Sequence, residues 1–79
     1  MKRTQAMVRA MVAVRAGKVM QIYTARGNTF EAPKGIGQAT LRKLEGARWI
    51  EDVPGQAHGV ASTRLKLQLS KAGRAALEP

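Results

Sequence analysis

The sequence predicts a small α+β domain in which helices alternate with β-hairpins, and two observations support this. Over 65–69 apolar and polar residues alternate, as in a β-strand, and Ser70 then opens a short helical pattern. Upstream, a basic helical pattern over 40–46 runs into an apolar pair that begins another strand. A chain of 79 residues is expected to form a single domain, residues 1–79.

The first element is predicted to be an N-terminal helix over 4–16. Thr4 is a typical N-cap residue, and Gly17 follows the last periodic residue, where many helices end in a left-handed conformation. Five apolar residues recur at helical spacing and are expected to form the stripe that faces the core. They are Met7, Val8, Met11, Val12 and Val14.

Residues 18–32 are predicted to form a β-hairpin. Segment 18–24 is rich in β-forming residues, 25–28 carries turn residues, and 29–32 can return as the second strand. Pro33 then ends the hairpin, because proline lacks the N–H group that a strand needs.

A second helix is predicted over 38–46, and Gly46 marks its end. Leu41 and Leu44 are three residues apart, so both are expected to face the core. The basic residues of this helix are then left for the surface.

A second hairpin is predicted from strands over 48–53 and 63–69, which pair antiparallel across a glycine-containing loop. Side chains alternate along a strand, so the second strand places leucines on one face and polar residues on the other. The two sets are Leu65, Leu67 and Leu69, and Arg64, Lys66 and Gln68.

The last predicted element is a short helix that Ser70 caps. Ala72, Ala76 and Leu77 are expected to pack back on the core. Gly73 lies inside this helix, where glycine is expected to cost about 1 kcal/mol relative to alanine.

The charge of the chain favours a polyanionic partner. Fourteen Lys and Arg residues face five Asp and Glu residues, which gives a net charge of +9, and the basic residues are spread from Lys2 to Arg74. A small domain with this charge is typical of nucleic-acid-binding proteins. An anionic membrane surface or an acidic protein is a less favoured partner.

Other classes of protein are disfavoured by composition. The chain has no cysteine, which excludes disulfide bonds and thiolate metal sites. Arg9 and Arg15 interrupt the first apolar run, so neither a signal peptide nor a membrane span is expected. The sequence therefore predicts a soluble, cytoplasmic chain that is associated with the bacterial nucleoid if it binds DNA, and a membrane is a disfavoured partner.

Signals of catalysis or of a cofactor are nearly absent from the sequence. His58 is the sole histidine and has no acidic residue near it in sequence, while Glu51 and Asp52 alternate across a strand. Metal-ligand spacing and a phosphate-binding loop are also missing. We therefore expect a protein that is not an enzyme and that carries no cofactor or metal.

Three stretches carry a resemblance to a known family. TLRKL over 40–44 is followed by GARWI over 46–50, and LSKAGRAAL spans 69–77. Together they resemble the second half of small bacterial and phage winged-helix DNA-binding proteins. The order helix, hairpin, helix, wing is also similar to that of the YjhX-like toxins.

The winged-helix resemblance implies how the domain meets DNA. It implies a recognition helix at 38–46 that enters the major groove, and a wing at 54–62 that touches the backbone or the minor groove. A standard helix-turn-helix has a supporting helix just before the recognition helix, but here 30–37 contains Pro33 and two glycines. The supporting role is therefore expected to pass to the first helix or to a one-turn segment.

Three groups of residues are candidates for contact with DNA. Arginine and lysine can bind guanine or phosphate, glutamine can bind adenine, and threonine can meet a phosphate. The groups are Lys34, Gln38, Thr40, Arg42 and Lys43 around the second helix, Gln56, His58, Arg64 and Lys66 in the wing hairpin, and Lys2, Arg3 and Arg9 as an N-terminal arm. Each group also has an explanation that needs no ligand. In the same order, the groups could be a solvated helix face, a charged strand that resists edge pairing, and a disordered basic N-terminus.

The expected function is that of a small transcriptional regulator, which binds double-stranded DNA as a homodimer and acts by steric occupancy. A chain of this size and type is typical of phages or plasmids. The alternative is a protein interaction module, such as an inhibitor of a host protein, that uses the same basic surface. RNA is a third candidate partner, although three aromatic residues offer little for base stacking.

Overall fold

Helices and strands alternate along residues 4–56 and 62–78, which are the residues that the computed structural model describes. Three helices and a four-stranded antiparallel sheet form there, so the predicted α+β class is confirmed. The elements are α1 (Gln5–Arg15), β1 (Met20–Thr24), β2 (Gly27–Glu31), α2 (Gln38–Gly46), β3 (Ile50–Asp52), β4 (Ser62–Leu69) and α3 (Lys71–Leu77).

The four strands form one sheet in the order β2-β1-β4-β3. Each predicted hairpin forms, and β3 pairs antiparallel with β4 from Ile50 opposite Leu69. β1 also pairs antiparallel with β4, and this pairing joins the two hairpins. The sequence predicts each hairpin but not this pairing, because it joins strands that lie forty residues apart.

The core lies between one face of the sheet and the helices. Met11, Leu41 and Leu44 are completely buried, and α1 packs against both α2 and β4. The predicted alternation along β4 is confirmed, since its three leucines are at most 5% exposed while Arg64 and Lys66 are exposed. The opposite face of the sheet carries no helix among the described residues.

The predicted helix ends are confirmed in detail. The hydroxyl of Thr4 accepts a hydrogen bond from the N–H of Met7 at 3.2 Å, and the hydroxyl of Ser70 accepts one from Gly73 at 3.0 Å. Gly17 follows α1 with a φ of 77°, the left-handed conformation that glycine adopts without strain. One apolar residue of α1 departs from the prediction, because Val12 is 40% exposed and does not extend the buried stripe.

The turn after α2 places Arg48 in a left-handed conformation, with a φ of 60°. Its N–H donates to the carbonyl of Glu45, and the N–H of Trp49 donates to that of Leu44, each at 3.0 Å. Ser70 donates its hydroxyl to the carbonyl of Arg48 at 2.6 Å. The turn is therefore held both to α2 and to the start of α3.

Gly73 corrects one expectation from the sequence. It is buried in α3, and a Cβ atom added there would overlap the carbonyl oxygen of Trp49 and lie 2.8 Å from its carbonyl carbon. Glycine is therefore required for the close approach of α3 to the start of β3, and it is not a weak point. Ala76 and Leu77 are half-buried as expected, but Ala72 is exposed.

Candidate nucleic-acid interface

The exposed side of α2 is the best candidate for contact with a polyanion. Leu41 and Leu44 are completely buried, which fixes the rotation of the helix about its axis. Arg42 and Lys43 are exposed on the other side. Lys34, in the turn before the helix, is exposed as well. These three predicted contact residues are thus available to a ligand.

The one acidic residue of α2 does not offset these charges on the exposed side. Glu45 is half-buried, and its carboxylate accepts a hydrogen bond of 2.8 Å from the side-chain amide of Gln21. Gln21 belongs to β1 and is 3% exposed. Because Glu45 is directed toward the sheet, the outer side of α2 keeps its positive charge.

Two further carboxylates also accept from neutral donors. Asp52 accepts from the hydroxyl of Tyr23 at 3.0 Å, and Glu51 accepts from the amide of Gln68 at 2.7 Å. Burial, the hydrogen bond to Asp52 and the nearby carboxylates raise the pKa of Tyr23 to about 12, so this phenol stays a neutral donor. Among the described residues, neither of these carboxylates forms an ion pair with a lysine or arginine.

Arg64 and Glu31 form the one ion pair found within residues 4–56 and 62–78. Of the 14 Lys and Arg residues, Lys2 and Arg3 lie outside the described residues. The eleven others have no carboxylate within 4.0 Å among the described residues. Most of the positive charge is therefore available to an external anion.

Gln38 is engaged within the protein. Its side-chain oxygen accepts from the hydroxyl of Thr29 at 3.0 Å and from the N–H of Phe30 at 2.9 Å, and its nitrogen donates to the carbonyl of Phe30. These bonds join the start of α2 to the outer edge of β2. Since they occupy both ends of the amide, the structure gives Gln38 a positioning role, and contact with an adenine stays a prediction.

Arg42 also contacts the edge of β2. Its guanidinium donates to the carbonyl of Asn28 at 2.8 Å and lies 5.9 Å from the centre of the Phe30 ring. Gln38 and Arg42 together occupy backbone groups that an unprotected edge strand would offer to another chain. Arg42 keeps further N–H groups free for a ligand, because a guanidinium has five donors.

Replacing Gln38 with alanine is expected to lower the free energy of unfolding by about 1–3 kcal/mol, because buried backbone groups of Phe30 lose their partners. Urea unfolding of the variant would measure this loss. Gln5→Ala is the control, since Gln5 is an exposed helical glutamine. A Gln38 variant as stable as the Gln5 variant would contradict the positioning role.

The other predicted residues that the structure describes do not add to the exposed side of α2. Arg64 and Lys66 lie on the face of the sheet that points away from the helices, and Arg64 is paired there with Glu31. Thr40 lies on α2 but is half-buried. Lys2, Arg3 and His58 lie outside the described residues, so their proposed contacts stay predictions.

Arg26 is an exposed cation that the sequence did not single out. It lies in the turn between β1 and β2, two residues before Asn28, whose carbonyl binds Arg42. The turn therefore leads directly into the strand that Arg42 contacts. The sequence shows an arginine among turn residues, but the contact of β2 with α2 that gives it significance depends on tertiary structure.

Gln56 holds the stem of the loop between β3 and β4. Its side-chain nitrogen donates to the carbonyls of Val53 and Lys66 at 2.9 and 3.0 Å, and its oxygen accepts from the N–H of Lys66 at 2.7 Å. The side-chain amide of Gln56 therefore bonds the backbone of Lys66 in β4, as the backbone of one more β3 residue would. The tip of the predicted wing, 57–61, lies outside the described residues.

The described residues hold neither a metal-binding cluster nor a membrane-spanning helix. Within 4–56 and 62–78, which exclude His58, the aspartate and glutamate side chains form no group that could hold a metal ion. None of the helices described there has the length and apolar character needed to cross a bilayer. Neither result identifies a ligand.

Comparison with known proteins gives no relative for this chain. No family model, no curated protein and no solved structure matches it.

Proposed function

We propose that this domain binds double-stranded DNA through a basic face formed by Arg26, Lys34, Arg42 and Lys43. The observation that carries the proposal is the charge of α2. Its exposed side presents Arg42 and Lys43, while its one carboxylate, Glu45, is bonded to Gln21 on the sheet. A cationic helix face of this kind suits the phosphates that line a DNA groove.

The order and pairing of the elements support a winged-helix arrangement. α2 directly precedes β3, β4 returns antiparallel to β3, and β1 pairs along the other side of β4. We therefore assign α2 as the recognition helix and the loop after β3 as the wing. Where a standard helix-turn-helix has its supporting helix, this chain has β2, which Gln38 and Arg42 hold against α2.

The shape of α2 is compatible with close approach to a groove. Ala39, Lys43 and Gly46 are exposed at helical spacing, so small residues flank the lysine on both sides. Arg42 is held by Asn28 and presents its remaining N–H groups beside the lysine. Few side chains can read bases here, so phosphate contacts would dominate the affinity.

Such binding would regulate transcription by occupying a site and excluding other proteins. Two copies on adjacent half-sites would double the number of phosphate contacts, which fits the expectation of a homodimer.

The test is binding to a random-sequence duplex of 30 base pairs across a salt series. If four cations each displace one counterion, the logarithm of the binding constant should fall against the logarithm of salt with a slope of about −3.6. A matched RNA duplex and heparin serve as comparators, and DNA should bind more tightly than the RNA duplex. Absence of binding at low salt would refute the proposal.

The second candidate function is a protein interaction module, favoured by the open face of the sheet. Met20 and Ile22 are only half-buried there, and the neighbouring strands place Glu31, Arg64 and Lys66 beside them. A partner bound on this face would be lost with Ile22→Asp and retained with Lys43→Ala. DNA binding through α2 would show the opposite pattern.

A further inference from the structure

A groove lies between the last turn of α1, the end of β4 and α3, and none of the residues of the basic face lines it. It consists of two adjoining cavities with volumes of about 240 and 280 Å³, and both are lined by Arg15, Leu69 and Arg74. Val14, Gly17, Leu67 and Gln68 complete the first cavity, and Leu77 and Glu78 complete the second. Each volume lies just below the range of about 300–1,000 Å³ that is typical of ligand pockets, so the groove suits only a small ligand.

The wall of the groove is apolar. Val14, Leu67 and Leu69 are core residues with at most 5% exposure, and Leu77 packs against the same core. An apolar ligand segment placed there would leave water and contact aliphatic side chains.

Two arginines supply the charge of the groove. Arg74 is fixed in position, because its guanidinium donates to the carbonyl of Leu69 at 2.9 Å. Arg15 is exposed in the last turn of α1. Neither forms an ion pair within 4.0 Å with a described carboxylate, and this includes Glu78, which lines the same groove.

Arg15 and Arg74 line both cavities, so an anion bound there would be attracted by two positive charges and repelled by the one negative charge of Glu78. A carboxylate suits guanidinium groups best, because it can accept two parallel hydrogen bonds. We propose that the groove binds a small free carboxylate carried on an apolar body, such as a medium-chain carboxylate. This site is separate from the proposed DNA contact and does not depend on it.

The test is a titration of the full chain with octanoate, followed through the methyl NMR signals of Val14, Leu69 and Leu77. The expected result is saturable shifts at these methyl groups. Octanol has the apolar tail without the charge, and acetate has the charge without the tail. Each should bind at least ten times more weakly than octanoate.

Arg15→Gln is the variant of choice, because no hydrogen bond to another described side chain depends on Arg15, and it should weaken octanoate binding at least fivefold. Arg9→Gln is the matched control, since Arg9 is an exposed arginine of α1 that does not line the groove. Its affinity should equal that of the unmodified chain. The amide spectra of both variants verify the fold.

Three results would overturn the proposal. Octanol that binds as tightly as octanoate would show a purely apolar groove. Equal weakening by Arg15→Gln and Arg9→Gln would show attraction by net charge alone. Absence of saturable shifts at the groove methyl groups would show that no site exists there.

Discussion

Gly73→Ala is expected to lower the free energy of unfolding by about 3 kcal/mol, at the upper end of the range for overpacked sites. The added Cβ would overlap the carbonyl oxygen of Trp49 and lie 2.8 and 3.1 Å from its carbonyl carbon and Cα. All three are backbone atoms, so no flexible side chain can move aside.

The backbone of Trp49 is also held on both sides. Its carbonyl accepts from the N–H of Ser70, and its own N–H donates to the carbonyl of Leu44, each at 3.0 Å. Relief of the overlap would therefore require α3 to move from the sheet or the turn after α2 to open. Either change breaks hydrogen bonds that join α2, β3 and α3.

Urea unfolding of one control variant separates this contact from helix propensity. Gly46→Ala places the same extra methyl group at the end of α2, where a Cβ would meet nothing within 4 Å. It should be neutral or stabilise by up to about 1 kcal/mol. If Gly73→Ala proved as stable as Gly46→Ala, the close approach of α3 to Trp49 would be wrong.

Gly73 also shows a stability effect that cannot be predicted from the sequence alone. By helix propensity alone, glycine inside a helix is less favourable than alanine, so Gly73→Ala would be predicted to stabilise the protein. The structure predicts the opposite sign, because the decisive contact is with a residue 24 positions away. Local sequence patterns correctly predict that Ser70 begins α3. They carry no information about which residues pack against that helix.

For the candidate site too, the sequence predicts local features but not the contacts between distant elements. The positive charge of α2 is visible in the sequence, and Leu41 and Leu44 predict which side of the helix is buried. The bond of Glu45 to Gln21 and the clamp of Gln38 on Phe30 could not be predicted, since both need the position of β1 and β2 relative to α2. A polar residue on a predicted recognition helix is therefore not enough to identify a DNA contact.

The double variant Arg42→Ala plus Lys43→Ala is expected to abolish most DNA binding at physiological salt. Both cations lie on the exposed side of α2, and neither has a carboxylate within 4.0 Å among the described residues. Loss of two phosphate contacts should make the salt slope shallower by about 1.8, since each contact contributes about 0.9. Fluorescence anisotropy with a labelled duplex would measure both quantities.

Arg42 also bonds Asn28 and lies near the ring of Phe30, so its removal can weaken the fold. Lys43→Ala alone avoids this difficulty, because no described hydrogen bond or ion pair involves the Lys43 side chain. It should reduce the slope by about 0.9 with an unchanged urea midpoint. The single and double variants together separate loss of contact from loss of structure.

A control variant that loses the same two charges elsewhere tests whether DNA binding depends on the position of the cations or only on net charge. Lys18→Ala plus Lys71→Ala removes the same two charges from exposed positions outside α2, one after α1 and one at the start of α3. If α2 is the contact surface, this variant should keep the salt slope of the unmodified chain and lose only a little affinity through long-range attraction. If both double variants lose affinity and slope equally, the chain binds DNA by net charge alone, and the assignment of α2 as the recognition helix is wrong.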